Sequence, residues 1–478
     1  MPLPNKTSTN FSSLSDFWIL RVDALGNKLW EATYGGTLYE QLKGLQVAPD
    51  GGFIACGISY SDASGVKSSP HYGNGDGWVV RLDSNGHKLW DRSFGGTNED
   101  SIRTIVGTSD GGFLLGGYSA SPPGGNKSST NYGGRDFWVL RLDADGNKLW
   151  EQTYGGSGND ELLDMEVLSD GTILLGGGST SPANGSKTSP NYGNTDFWLV
   201  AINTNGQQLW DMSFGGNSGD RLLACRQTSD GGFLLGGISR SPVSGNKTVT
   251  NFLNSPTSDL WVIRLDAFRQ TVWQQTFATT EIGDHGLLDL QLTPEGGFIV
   301  LGVALSSLSG SKSCLGFGSG DYWLIRCDAA GNKLWDMCLG GSGAENAGVP
   351  YDSTMSVQLH LTRDGGFIFN GKSHSPADGN KTSPNFGDED YWVVKLGPDD
   401  LTRPPRLRWE RCCFEDIGLQ WRLLLAGTSN VSYRTEVSTN LVNWTAFKTN
   451  QVAGSEVEVF HSPLSFLPQR FFRARTVP

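Results

Sequence analysis

The chain lacks most of what a membrane protein or a nucleic-acid-binding protein requires. No stretch of its 478 residues comes near the roughly 18 consecutive apolar residues of a spanning helix, which excludes membrane insertion by helices. Positive charge is scarce as well. Lys and Arg number 37 against 49 Asp and Glu, a net charge of −12, whereas nucleic acid and anionic lipid surfaces reward the opposite balance. Only 18% of residues are charged, yet 11% are aromatic, so the chain can bury a core and does not read as disordered. The six histidines fall at no metal-binding spacing, and phosphate-binding loops and serine nucleophile elbows are absent.

Cysteine is sparse and odd in number, at seven. Cys56, Cys225 and Cys314 stand alone and Cys412 and Cys413 are adjacent. Cys327 and Cys338 fall on successive expected strands, too far out of register for a disulfide. Most are therefore expected to be small buried apolar groups. The first fifteen residues lack the apolar core of a signal peptide. However, Asn5 to Phe11 reads as the tail of a repeat, like Asn246 to Phe252, which points to a segment upstream.

What is present is one passage written repeatedly, clearest from Asp136 to Gly156 (D-F-W-V-L-R-L-D-A-D-G-N-K-L-W-E-Q-T-Y-G-G). It recurs from Asp16, Asp76, Asp196, Asp259, Asp321 and Asp390, at spacings of 60 to 69 residues. A fixed period of this kind decides architecture before any local reading does. Each unit carries four strand signals. The first ends in a D-G-G or D-G-T turn such as Asp110-Gly111-Gly112, where the chain must reverse. The second (Phe113 to Gly117) and third (Phe137 to Leu140) are apolar on both faces, as in a covered sheet, and the fourth (Lys148 to Tyr154) alternates apolar with polar. A buried centre grading to a wetter edge is a propeller blade, so an all-β fold is expected: a β-propeller of four-stranded blades followed by a small β-sandwich.

The blades are expected at about 40–94, 100–154, 160–214, 220–277 and 284–339, with a sixth from about 352. Third strands number seven and every other type six, so six blades are favoured and seven are possible. The N-terminal third and fourth strands could close the ring by completing the last blade. Residues 1–15 then read as a repeat tail or truncated leader, 16–397 as the propeller, 398–403 as a linker and 404–478 as an immunoglobulin- or fibronectin-like β-sandwich.

Tyr433, Glu436, Ser438, Asn440, Leu441 and Trp444, with Arg470-Phe471-Phe472-Arg473-Ala474, resemble the Y-x-x-E-x-S-x-N-L-x-x-W and R-F-[FY]-R pattern of C-terminal β domains appended to bacterial secreted and surface proteins. The resemblance implies an extracellular or cell-surface setting. Over residues 16–396, D-G-G-F-[IL]-L-x-G with D-x-W and G-N-K-L-W resembles the bacterial extracellular repeat propellers, which implies the fold but no particular role. The segment Gly146-x-x-x-Trp150-x-x-x-x-Gly155 is similar to the tryptophan-docking motif of quinoprotein propellers, with one residue fewer between Asp and Trp and with Ala278 breaking the pattern.

Candidate chemistry lies at the edges of the repeat. Asp143-Ala144-Asp145-Gly146-Asn147 looks like a calcium loop, but its sister turns replace the second acid, so it is read as turn chemistry. Asp83 to Trp90 does not meet the spacing of a sialidase Asp box. After the Gly-Gly pair, Glu40, Asp100, Asp160, Asp220, Asp284 and Asp352 (or Glu345) open the innermost strands. They are expected to ring one channel mouth and to hold a polar ligand or a divalent cation; no other cofactor is called for. The loops between second and third strands, with Lys67, Lys127, Lys187, Lys381, Tyr72, Tyr132 and Tyr192, are expected on the same face, where they would suit hydroxyl-rich ligands. Catalysis needs asymmetry, which directs attention to the irregular fifth and sixth blades and to Asp284, His285, Glu345 and Asp352 as candidates. The expectation is a non-enzymatic extracellular binding or scaffold protein whose partner is a polysaccharide or a surface protein. The alternatives are a carbohydrate-active hydrolase or lyase using that acidic cluster, and a quinoprotein-like oxidoreductase.

Overall fold

The computed structural model describes residues 6–252, 257–279, 286–305, 308–345 and 357–397, and beyond these the backbone of six strands between 406 and 476. Every regular element among them is a strand. The N-terminal pair is β1 (Phe17–Val22) and β2 (Lys28–Tyr34). Blade 1 comprises β3 (Glu40–Val47), β4 (Phe53–Ser59), β5 (Asp76–Leu82) and β6 (Lys88–Phe94). Blade 2 comprises β7 (Asp100–Gly107), β8 (Phe113–Ser119), β9 (Asp136–Leu142) and β10 (Lys148–Tyr154). Blade 3 comprises β11 (Asp160–Val167), β12 (Ile173–Ser179), β13 (Asp196–Ile202) and β14 (Gln208–Phe214). Blade 4 comprises β15 (Asp220–Gln227), β16 (Phe233–Ser239), β17 (Asp259–Leu265) and β18 (Thr271–Phe277). Blade 5 comprises β19 (Gly286–Leu292), β20 (Phe298–Ala304), β21 (Asp321–Cys327) and β22 (Lys333–Leu339). Blade 6 comprises β23 (Leu359–Leu361), β24 (Phe367–Ser373) and β25 (Asp390–Leu396).

The chain is thus a β-propeller with six blades, five of them four-stranded antiparallel meanders and the sixth of three described strands. Consecutive first strands neighbour one another from blade 1 to blade 5, which puts them innermost, as the gradient of apolarity predicts. The middle strands of blades 1 to 5 are buried along nearly their whole length. Each first strand of blades 1 to 5 carries a bulge at one place, for instance between Leu162 and Asp164. A bulge bends the strand and re-aims the residues that follow it.

One ring contact repeats between blades. The aromatic residue opening a third strand packs on the tryptophan of the next: Phe17 on Trp78 at 4.8 Å, Phe137 on Trp198 at 4.6 Å and Phe197 on Trp261 at 4.7 Å. Tyr391 of β25 meets Trp18 of β1 in the same way at 5.5 Å. The first and last repeats therefore approach each other, but not as expected. β1 and β2 form a two-stranded sheet of their own and do not complete blade 6, because β25 already fills the third-strand place there.

The turn between third and fourth strands needs a positive φ, supplied by Gly26, Gly86, Gly146, Gly206 and Gly331. In blade 4 Arg269 takes that place with φ 66°, the one non-glycine residue of positive φ among those described. Its guanidinium lies 4.9 Å from the ring of Trp210, where other blades set a glycine against the preceding blade's tryptophan.

The cysteine expectation is corrected at one point. Cys314 and Cys338 form a disulfide with Cα atoms 5.6 Å apart, while Cys56, Cys225 and Cys327 are free and buried. Sister blades explain the pairing. The equivalent positions hold hydroxyl pairs, Ser69 with Ser93 at 2.8 Å, Ser129 with Thr153 at 2.7 Å and Ser189 with Ser213 at 2.8 Å, so blade 5 replaces a hydrogen bond with a covalent one. Loop closure over 24 residues gives such a bond about 3 kcal/mol. The double substitution Cys314→Ser/Cys338→Ser restores the hydroxyl pair, so a net loss of about 2 kcal/mol is expected. Thermal melting checks it, and an unchanged midpoint would mean that the cross-link contributes nothing.

A second compact unit comprises residues 360–369 and 393–478, the first comprising 1–359 and 370–392. In the second, β26 (Arg406–Phe414), β27 (Gly418–Ala426) and β30 (Glu456–Pro463) form one antiparallel sheet. A second antiparallel sheet contains β28 (Ser432–Ser438), β29 (Thr445–Gln451) and β31 (Phe471–Thr476).

Candidate functional site

Four of the six acids expected in the ring, and Glu345 as the alternative to Asp352, are among the described residues, and all five are buried. Glu40, Asp100, Asp160 and Asp220 are at most 1% exposed. Each is held by its own turn and blade. Glu40 accepts from Gly36 N and Ser59 Oγ, both at 2.9 Å; Asp100 from Gly96 N at 2.7 Å and Ser121 Oγ at 2.8 Å. Asp160 accepts from Gly156 N at 2.8 Å and Ser181 Oγ at 2.7 Å, and Asp220 repeats this with Gly216 and Ser241. Burial pushes all four pKa values up against those hydrogen bonds.

At the sixth junction the ring place belongs to Glu345, which accepts from Ser373 Oγ at 2.9 Å and also bonds Ser375. Glu345, also a candidate catalytic acid, is 1% exposed and engaged by these two hydroxyl groups. Asp284, His285 and Asp352 lie outside the described residues. Among those described, no group of three or more His, Cys, Asp or Glu is placed to hold a metal ion.

The loop lysines are buried too. Lys67, Lys127, Lys187 and Lys381 are 2 to 3% exposed, and each ammonium donates to carbonyl oxygens of its own loop, as Lys67 does to Ser69 O at 2.8 Å. They shape the loop and are not offered to a ligand. Tyr132 remains 41% exposed.

A different group of residues, partly exposed except for the buried Tyr118, stands beside these acids. Glu99 precedes Asp100, Arg135 precedes Asp136, Glu161 and Arg221 follow Asp160 and Asp220, and Tyr60 and Tyr118 flank Ser59 and Ser119. Strand pairing sets these positions side by side, and Glu99 accepts from Tyr118 Oη at 2.6 Å, Tyr60 Oη at 3.0 Å and Arg135 Nη2 at 2.8 Å. Arg135 Nη1 reaches Glu161 Oε1 at 2.5 Å, and Arg221 binds the other oxygen of Glu161. The guanidinium of Arg135 lies 4.5 Å from the Tyr118 ring centre, and that of Arg103 lies 5.1 Å from it. Burial raises the pKa of Glu161, but Arg221, Arg103 and Arg135 outweigh it and hold the carboxyl below its ordinary value. Burial and Glu99 push Tyr118 up to about 12. Among the described residues, the guanidinium groups of Arg103, Arg135 and Arg221 and the carboxylates of Glu99 and Glu161 gather here.

No residue of this cluster is repeated around the ring, which is why reading the repeat passed over it. The usable signal was departure from the repeat at the places next to the ring acid. Deeper in the wall, Arg226 of blade 4 joins Asp164 of blade 3 and Asp289 of blade 5, the latter at 3.2 Å.

No family model matches the chain. The regulatory protein FlaEY of Caulobacter vibrioides is 28% identical over 214 residues, 42% of this chain and 22% of the relative, so the chain spans about a fifth of that protein's length. Among solved structures, a member of the DUF4221 family from Bacteroides vulgatus is 8% identical, covering 80% of this chain and 97% of its own, with a TM-score of 0.36. An ACO/RPE65 chimera is 12% identical, covering 74% and 71%, with a TM-score of 0.32.

Proposed function

We propose that the chain is a non-enzymatic binding or scaffold module acting outside the cell or at its surface, with a polysaccharide as its ligand. The observation that carries this reading is the partly exposed cluster of Tyr60, Glu99, Arg135, Glu161 and Arg221 around the buried ring of Tyr118. Aromatic rings, guanidinium donors and carboxylate acceptors together match a ligand rich in hydroxyl groups, and the guanidinium groups favour one bearing carboxylates. The Cys314–Cys338 bond favours an oxidising compartment. The net charge of −12 speaks against nucleic acid as partner. A hydrolase using Glu345 finds that group engaged by Ser373 and Ser375, which leaves the binding reading ahead.

The test is co-sedimentation of the full chain with a panel of neutral and uronate-rich insoluble polysaccharides, scoring retained protein and released sugar. Retention without release is expected, strongest on the uronate-rich material. Arg135→Ala should weaken it about tenfold, the worth of a charged hydrogen bond. Release of sugar would overturn the non-enzymatic reading, retention unchanged in the variant would move the site elsewhere, and no retention would leave a surface protein as the partner to seek.

A further inference from the structure

We propose that the junctions between successive blades are proton-binding sites, in which two buried carboxyl groups share one proton. The pairs are Asp76 with Asp100, Asp136 with Asp160 and Asp196 with Asp220. The first acid of each opens a third strand and the second opens the next blade's first strand. All six side chains are at most 1% exposed. The first glycine of each Gly-Gly pair lies against both. A Cβ on Gly155 would stand 2.0 Å from Asp136 Oδ1 and 2.7 Å from Asp160 Oδ2, and one on Gly95 would stand 2.3 Å from Asp76 Oδ1 and 2.7 Å from Asp100 Oδ2. The carboxyl groups close over the backbone at this point, so the repeat must carry glycine there.

A second observation points to the ligand. Oδ1 of Asp76, Asp136 and Asp196 is buried and accepts no hydrogen bond, while Oδ2 accepts from the backbone N–H of Tyr72 at 2.7 Å, Tyr132 at 2.6 Å and Tyr192 at 2.5 Å. An ionised carboxylate with a buried oxygen that accepts no hydrogen bond from the protein, beside another acid, is an unfavourable arrangement. A proton on that oxygen removes one of the two charges and turns an orphan acceptor into a donor beside the neighbouring acid. Calcium would ask for roughly six to eight oxygen ligands, which two carboxyl groups, one bonded to a backbone N–H and the other to serine, do not supply.

Other charged groups facing the pairs are Lys67, Lys127 and His71 at the first junction, His71 Nε2 lying 3.7 Å from Asp76 Oδ2. Lys127 and Lys187 face the second pair, and Lys187 and Lys247 the third. Burial, with the neighbouring acid adding to it, pushes Asp76, Asp136 and Asp196 up to about 7. The folded state then holds protons that the unfolded chain releases above its ordinary carboxyl pKa of about 4. Stabilisation from each pair is complete below that pH and is lost as pH rises to about 7, so acidification from pH 7.5 to 5 tightens the junctions. Burial lowers the pKa of Lys67, Lys127 and Lys187 and brings that of Lys247 down to about 8. Carboxylates with lowered pKa, such as Asp211, lose their contribution only further to the acid side. His71, depressed by burial, opposes the effect at its own junction, which makes Asp136 the cleaner position to alter.

The experiment follows chemical unfolding of the full chain between pH 5 and 7.5, for the unaltered protein and for Asp136→Asn. The unfolding constant should fall about tenfold per pH unit for each protonated pair as pH drops towards 5. Asp136→Asn should be the more stable protein at pH 7.5 and should lose one proton's share of the slope. The infrared carbonyl band of a buried protonated carboxyl should be present in the unaltered protein at pH 6 and decide the matter if the variant does not fold. Stability that is flat or falls on acidification, a slope unchanged by the substitution, an absent band, or a calcium-dependent rise in melting temperature at pH 7.5 would each overturn the proposal.

Discussion

Arg226→Met is expected to destabilise the propeller by about 3–5 kcal/mol, the cost of leaving buried carboxylates without their counter-charge. Arg226 donates to Asp164 across one blade junction and to Asp289 across the next. Asp164 also accepts from Cys225 N at 2.8 Å, and Asp289 from Leu359 N at 2.8 Å, so one guanidinium organises acceptors that reach from blade 3 to blade 6. Burial raises the Asp289 pKa and Arg226 counters it. Without the arginine the Asp289 pKa should rise further, and the loss should be smaller in acid. Adding Asp164→Asn and Asp289→Asn to Arg226→Met should restore most of the stability. Thermal melting of the three proteins distinguishes the causes: a triple variant no more stable than Arg226→Met would mean that the arginine acts through packing of its stem rather than through charge.

Trp198→Ala is expected to cost a similar amount, about 3–5 kcal/mol, by a different route. The indole is fully buried, packs on Phe137 of the preceding blade at 4.6 Å and donates from Nε1 to Asp211 Oδ2 at 3.0 Å. Its removal opens a cavity exactly where two blades meet. Trp198→Phe keeps much of the volume and loses only the donor, so it should cost roughly 1–2 kcal/mol. Asp211 would still accept from Thr188 and Ser189, which limits that loss. Melting temperatures of the two variants check the ordering; equal losses would mean that the hydrogen bond, and not the filled volume, carries the effect.

Much of the fold was legible in the residues. Alternation and its absence marked the strands, Asp110-Gly111-Gly112 and its sisters marked the reversals, and the 60-residue spacing from Asp76 to Asp136 marked the blade. The candidate site was legible in part. Glu40, Asp100, Asp160 and Asp220 were found because they repeat at the start of each inner strand, but their burial was not, since nothing local distinguishes an acid facing a channel from one folded onto Ser119 and Ser121. Glu99, Arg135 and Glu161 went unnoticed because each occurs once, and their meaning arises only when strands 36 and 26 residues apart in the chain bring them into contact.

The sequence by itself determined the propeller, the order of strands within a blade and the glycines at the turns, because these follow from short-range periodicity and backbone conformation. Tertiary structure alone decided which hydroxyl pair became the Cys314–Cys338 bond, that Glu345 takes the sixth ring place, that β1 and β2 stand as a separate sheet, and which charges join across the blades. Those outcomes depend on distances between segments tens of residues apart, and a repeat makes such segments alike in sequence while leaving their neighbours different in space.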